Sequence, residues 1–157
     1  MKIKGLIDED FVNYKEPAMY IAFPSCTFKC ERECGQKMCQ NSSLVKSPDI
    51  EMSAEALVQR YINNPITHAV VCAGLEPFDS WKDLKKIVSI FRQKTNDDIV
   101  IYTGYTEDEI NNQLAYLRAY RNIIIKFGRF IPNHDPHYDY VLGANLASDN
   151  QYARRIS

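Results

Sequence analysis

The 157-residue chain is 45% hydrophobic and 25% charged, an ordinary composition for a soluble globular protein built on one core. Its formal net charge of −1 offers no broad electrostatic footprint, so neither nucleic acid nor a membrane surface is expected as a partner. Apolar runs such as 69–75 and 122–127 fall far short of the roughly 20 residues of a membrane helix, and the opening stretch lacks the apolar core of a secretory signal; the expected location is the cytoplasm.

In chain order, residues 19–24 (MYIAFP) read as a strand that runs into a cysteine-rich loop at 25–41. Ser53 then caps a helix on which Leu57, Val58, Tyr61 and Ile62 are expected to share one face, before Asn64-Pro65 stops it. A second strand is predicted at 67–74. The segment SWKD follows, where Ser80 and Asp83 approximate a capping box for a helix carrying Leu84, Ile87, Val88 and Phe91 inward. A third strand lies at 97–104, and Thr106 with Glu109 forms the capping box of a helix that buries Ile110, Leu114 and Leu117. The fourth strand is 122–128.

Strands alternating with helices predict parallel β-α-β units with right-handed crossovers, hence an α/β fold with a mostly parallel sheet. A closed eight-stranded barrel takes about 250 residues, so an open or partial (β/α) barrel is expected here. The polar tail at 132–157 should fold back on the sheet, making residues 1–157 one domain.

Four of the five cysteines fall in the loop, spaced Cys26-x3-Cys30-x3-Cys34-x4-Cys39. Cys72 lies in an apolar strand and reads as a small buried residue, and five thiols cannot pair completely. Thiolates are soft ligands for iron–sulfur clusters or zinc, and the spacing lacks the two close pairs of a zinc finger. Metal ligation by at least three loop cysteines is therefore expected. The histidines add little: Pro136 breaks the geometry that would let His134 and His137 converge, so an exposed loop is expected there, and His68 reads as packed or exposed.

The motifs around these elements carry a resemblance. Cys39-Gln40-Asn41 closely resembles the end of the cluster loop in radical S-adenosylmethionine (SAM) activating enzymes, especially the activating proteins of anaerobic ribonucleoside-triphosphate reductase. Further segments follow in that family's order. Gly74-Leu75-Glu76-Pro77 is similar to Gly-Gly-Glu-Pro, Tyr102-Thr103-Gly104-Tyr105-Thr106 to Tyr-Thr-Gly-Tyr-Thr, Phe127-Gly128-Arg129-Phe130 to Asp-Gly-Arg-Phe, and Ser148-Asp149-Asn150-Gln151 to Ser-Ser-Asn-Gln.

The resemblance implies a radical SAM fold and a 4Fe-4S cluster held by three cysteines, with one iron open to SAM. Cys26 and Cys30 carry over directly, and Cys39 through the Gln-Asn that follows it. The longer gap before Cys39 keeps open a Cys26, Cys30, Cys34 triplet or a four-thiolate site. Met38 stands where the family has an aromatic residue near adenine. Gly74, Leu75 and Glu76 would seat the methionine amino group, with Leu75 replacing a glycine; Thr103 would line the same pocket. Lys126 or Arg129 would meet a carboxylate, with solvated charge as the alternative, and Phe127 replaces the family's acid.

The implied activity is reductive cleavage of SAM, with generation of a glycyl radical on a partner, expected to be anaerobic ribonucleotide reductase, and with a flavodoxin or ferredoxin-type electron donor. The alternatives are another radical SAM activase, a peptide-modifying enzyme, or a non-catalytic iron–sulfur or zinc module using all four loop cysteines.

Overall fold

Residues 1–157 are described by a computed structural model. The amino-terminal part contains β1 (Lys2–Ile3), β2 (Gly5–Asp10), β3 (Ala18–Phe23), the short helices α1 (Lys29–Cys34) and α2 (Ser42–Lys46), and β4 (Ile50–Glu51). The central part alternates α3 (Ala54–Ile62), β5 (Ala69–Gly74), α4 (Trp81–Lys94), β6 (Asp98–Tyr102), α5 (Asn111–Leu117) and β7 (Ile123–Phe127). The tail supplies β8 (His137–Asp139), β9 (Ala144–Leu146) and β10 (Tyr152–Arg155).

Six strands form the main sheet in the order β10-β7-β6-β5-β3-β2. The four predicted strands, β3, β5, β6 and β7, are its parallel centre, while β2 and β10 pair antiparallel at the two edges. The fold is therefore α/β with a mostly parallel sheet, open at β2 and β10 rather than closed into a barrel.

The central strands are mostly apolar because both sheet faces are covered, with Asp98 and Lys126 the charged exceptions in β6 and β7. Met19, Ile21, Phe23, Cys72, Ile99, Ile101 and Ile125 pack on one face against α3, α4 and α5. The other face, with Ala18, Val71, Val100 and Ile124, packs against Tyr14, Leu142, Ala144 and Leu146, so the tail does fold back on the sheet. Cys72 is fully buried, as expected, and burial pushes its thiol up to about 12.

Three local expectations need correction. Ile62 does not share the buried face of α3: it is 44% exposed. Ala54, Leu57, Val58 and Tyr61 already complete that stripe, and Ile62 lies one residue, about 100°, beyond Tyr61 around the helix. Ser80 makes no capping bond for α4, because a 3-10 turn at Pro77–Ser80 precedes the helix and is capped by Glu76, whose carboxylate accepts from the Phe78 amide. The Ser53 cap forms, with Oγ accepting from Ala56 N at 3.0 Å. At Thr106, Glu109 accepts from the Thr106 amide at 2.9 Å, one half of the expected box, but a 3-10 turn at Asp108–Ile110 stands between that box and α5, so Ile110 is buried from the turn rather than from the helix. No helix is long and apolar enough to cross a membrane.

Candidate metal centre

The parallel strands end on one rim, and the carboxyl ends of those strands together with the loops leaving them hold every predicted site residue. Cys26, Cys30 and Cys39, together with Met38, Gly74, Leu75, Glu76, Thr103 and Lys126, line a single cavity of about 310 Å³. Cys34 does not. It ends α1, one helical turn (about 5.4 Å) beyond Cys30, and is exposed to solvent outside the cavity.

Hydrogen bonds join the motif-bearing loops in sequence around the rim. The Asn41 side chain donates to the Gly74 carbonyl at 2.8 Å, tying the cysteine loop to the end of β5. Glu76 N donates to Ser25 O at 2.8 Å. The Glu76 carboxylate in turn accepts from the Thr103 hydroxyl at 2.8 Å and from Gly104 N at 2.9 Å. Lys126 Nζ donates to Gly128 O at 2.8 Å, and that carbonyl also accepts from the Gln151 side chain at 3.2 Å. Gly128 N also donates to Tyr105 O at 3.1 Å, so motifs that are far apart in sequence are tied together along one rim.

Several contributors were not singled out from the sequence. Asp79 accepts from Thr27 N and from the Tyr105 hydroxyl, each at 2.6 Å, and so holds the start of the cysteine loop. Its only sequence signal was its position two residues after Pro77. Asn41, Tyr102 and Tyr105 lie inside recognised motifs without an assigned role, and Asn13 and Tyr20, which also line the cavity, carry no motif signal.

Gly74 has φ +94°, and a Cβ there would meet Ala22 Cα and Phe23 N of the neighbouring strand at 2.7 Å. Its missing side chain is thus required by the approach of β3, before any ligand is considered. Lys126 is no solvated charge: it is 7% exposed, and burial pushes its ammonium down to about 8. Arg129 is engaged by Glu109 at 2.7 Å and Glu33 at 3.3 Å, and Lys29 also contacts Glu109. These cations hold the Glu109 carboxyl well below the usual carboxylate range, Arg129 contributing most.

Burial pushes the Glu76 carboxyl up to about 7 from its ordinary 4.5, against its three donors. Between those values the folded protein keeps a proton that the unfolded chain has released. This group's contribution to stability is therefore fullest below about pH 4.5 and is lost as pH rises toward 7. In thermal melts of the metal-free protein from pH 5 to 7.5, wild type should lose melting temperature relative to Glu76→Gln as pH rises. Parallel curves would contradict the assignment.

The donor set suits a metal cluster. Burial pushes the Cys26 thiol up to about 11 and raises Cys30 as well, and neighbouring thiol charge adds to both, from Cys30 on Cys26 and from Cys39 on Cys30. Neighbouring sulfurs in a partly dry cavity ionise readily only beside a cation, which a metal core supplies. No three Cys, His, Asp or Glu side chains gather closely enough to enclose a single metal ion.

Soft donors on the carboxyl rim of a mostly parallel sheet define a metal-cluster protein of α/β class. The chain belongs to the family described as a 4Fe-4S single cluster domain, whose match spans residues 18–145, and it is accordingly an iron–sulfur, metal-binding protein. Comparisons with curated proteins and with solved structures return no match.

Proposed function

We propose that this protein is a radical SAM enzyme in which Cys26, Cys30 and Cys39 hold the 4Fe-4S cluster and leave one iron open to SAM. The observation that carries this reading is the division of the four loop thiols: three line the cavity, and Cys34 lies outside it. When bound and reduced, the cluster would supply one electron to the sulfonium of SAM, giving methionine and a 5′-deoxyadenosyl radical able to abstract hydrogen from a partner's glycine.

The remaining roles belong to this chain's own side chains. The cavity of about 310 Å³ lies at the lower end of the range for small-molecule sites, about 300–1,000 Å³. Both Glu76 oxygens already accept protein donors, so Glu76 fixes the loops that seat the methionine end and leaves the amino group to the backbone near Gly74 and Leu75. Thr103 contributes through the same carboxylate. Lys126 spends one N–H on Gly128 and directs its buried charge to the SAM carboxylate. Met38, half-buried at the rim, flanks adenine with a polarisable apolar chain.

Residues 1–157 would act as one radical SAM-like domain in the cytoplasm. The ordered motifs favour a glycyl-radical enzyme as partner, specifically anaerobic ribonucleotide reductase, with a flavodoxin or ferredoxin-type protein as reductant. Protein reconstituted with iron and sulfide under anaerobic conditions, given SAM and dithionite, should release 5′-deoxyadenosine and methionine in equal amounts. A fully loaded cluster that yields neither product would defeat the proposal.

A further inference from the structure

Cys30 and Cys39 are separated by eight residues, and the structure shows where that extra chain goes. Helix α1 carries it outward, Gly35 reverses it at φ +68° with no atom within 4 Å of where a Cβ would stand, and residues 36–38 return it to the cavity. Residues 32–37 are exposed throughout. The outward limb is anchored by Lys29 on Glu109 and by Arg129 on Glu33. The return limb is fastened differently: one oxygen of Glu31, in the first turn of α1, accepts from Met38 N at 3.2 Å and from Cys39 N at 3.1 Å.

We propose that Glu31 is a positioning residue for the cluster, stapling the two ends of the 31–38 excursion so that Cys39 returns beside Cys30 while Cys34 is carried outside. The proposal rests on the reading of Cys26, Cys30 and Cys39 as ligands. Without the staple, an eight-residue segment between two ligands is free to sample many positions of the third sulfur, and cluster assembly must first pay for ordering it. A carboxylate oxygen is suited to this task because it is an acceptor only, with lone pairs for both amide protons and a share of the negative charge. Its charge also stands beside the cluster site, where added negative charge lowers a reduction potential.

The chemistry separates the two contributions. Glu31→Gln keeps a carbonyl oxygen for the two amides and removes the charge, whereas Glu31→Ala removes both. After anaerobic reconstitution and desalting, Glu31→Ala should retain less than half the iron of wild type, while Glu31→Gln should hold wild-type iron with a reduction potential shifted upward in an EPR-monitored titration. Melting temperatures of the metal-free proteins should be alike, because the Glu31 bonds stay within the loop. Wild-type iron in Glu31→Ala, or iron loss in Glu31→Gln as severe as in Glu31→Ala, would overturn the staple. Cys39→Ala, measured in parallel, tests the underlying reading: iron loss there with full iron in Glu31→Ala sinks the staple alone, whereas full iron in Cys39→Ala sinks the ligand assignment.

Discussion

Replacing Cys39 with alanine should strip the protein of its cluster, whereas replacing Cys34 should leave roughly four irons per chain and the same SAM turnover. The contrast follows from position rather than residue type. Cys26, Cys30 and Cys39 face one cavity, while Cys34 is exposed at the outer end of α1. A four-iron core that loses one of three thiolates has no other cysteine in the cavity to replace it: Cys72 is fully buried in β5, on the helix-covered face, and Cys34 lies outside the cavity. The check is iron and sulfide content with the visible absorption of the reconstituted proteins. Cys26→Ala and Cys30→Ala should behave like Cys39→Ala. If Cys34→Ala lost the cluster and Cys39→Ala kept it, the triplet would have to be redrawn through the outer cysteine and the excursion rearranged.

Gly74→Ala should be the most damaging single methyl addition at this site. A Cβ would stand 2.7 Å from two backbone atoms of β3, Ala22 Cα and Phe23 N, and 2.9 Å from Ala22 C. Neither strand can yield, because Phe23 pairs directly with Gly74 in the register of β3 and β5. The φ of +94° adds backbone strain for any L side chain. Strain of about 1–3 kcal/mol and overpacking of about 1–3 kcal/mol together reach a large share of the roughly 5–15 kcal/mol that stabilises a typical domain. The metal-free variant should melt far below wild type, or fail to accumulate as folded protein. A variant that melts with wild type would show that β3 and β5 do not approach as described.

The four central strands were legible because a parallel strand covered on both faces is drawn largely from apolar residues, β5 being buried at every position. The edges were not. β2 reads GLIDED and β10 reads YARR, charged segments that become strands only because β3 and β7 offer unpaired edges. The polar outer side of β2 is then held to α3 by the two hydrogen bonds of Arg60 to Asp8, both 2.6 Å. Ser80 looked like a cap because the pattern does not reveal that Pro77 starts a 3-10 turn ahead of it.

The candidate site was legible where backbone geometry or metal chemistry restricts the residue type, as at the cysteines, Gly74 and the Glu76 turn. It was not legible where a side chain works through a contact made only on folding. Asp79 bonds Thr27 across 52 residues, and Asn41 bonds Gly74 across 33. Spacing was also ambiguous for the third thiol. Cys30 and Cys34, four apart, are neighbours on one helix face by pattern, yet α1 leads away from the cavity and separates them.

The most direct measurement is the EPR spectrum of the reduced, reconstituted protein with and without SAM. Direct coordination of SAM at an open iron predicts a changed signal on addition of SAM in wild type and in Cys34→Ala alike. A cluster signal that stays the same at saturating SAM in both proteins would contradict an open iron and return the protein to the non-catalytic iron–sulfur modules.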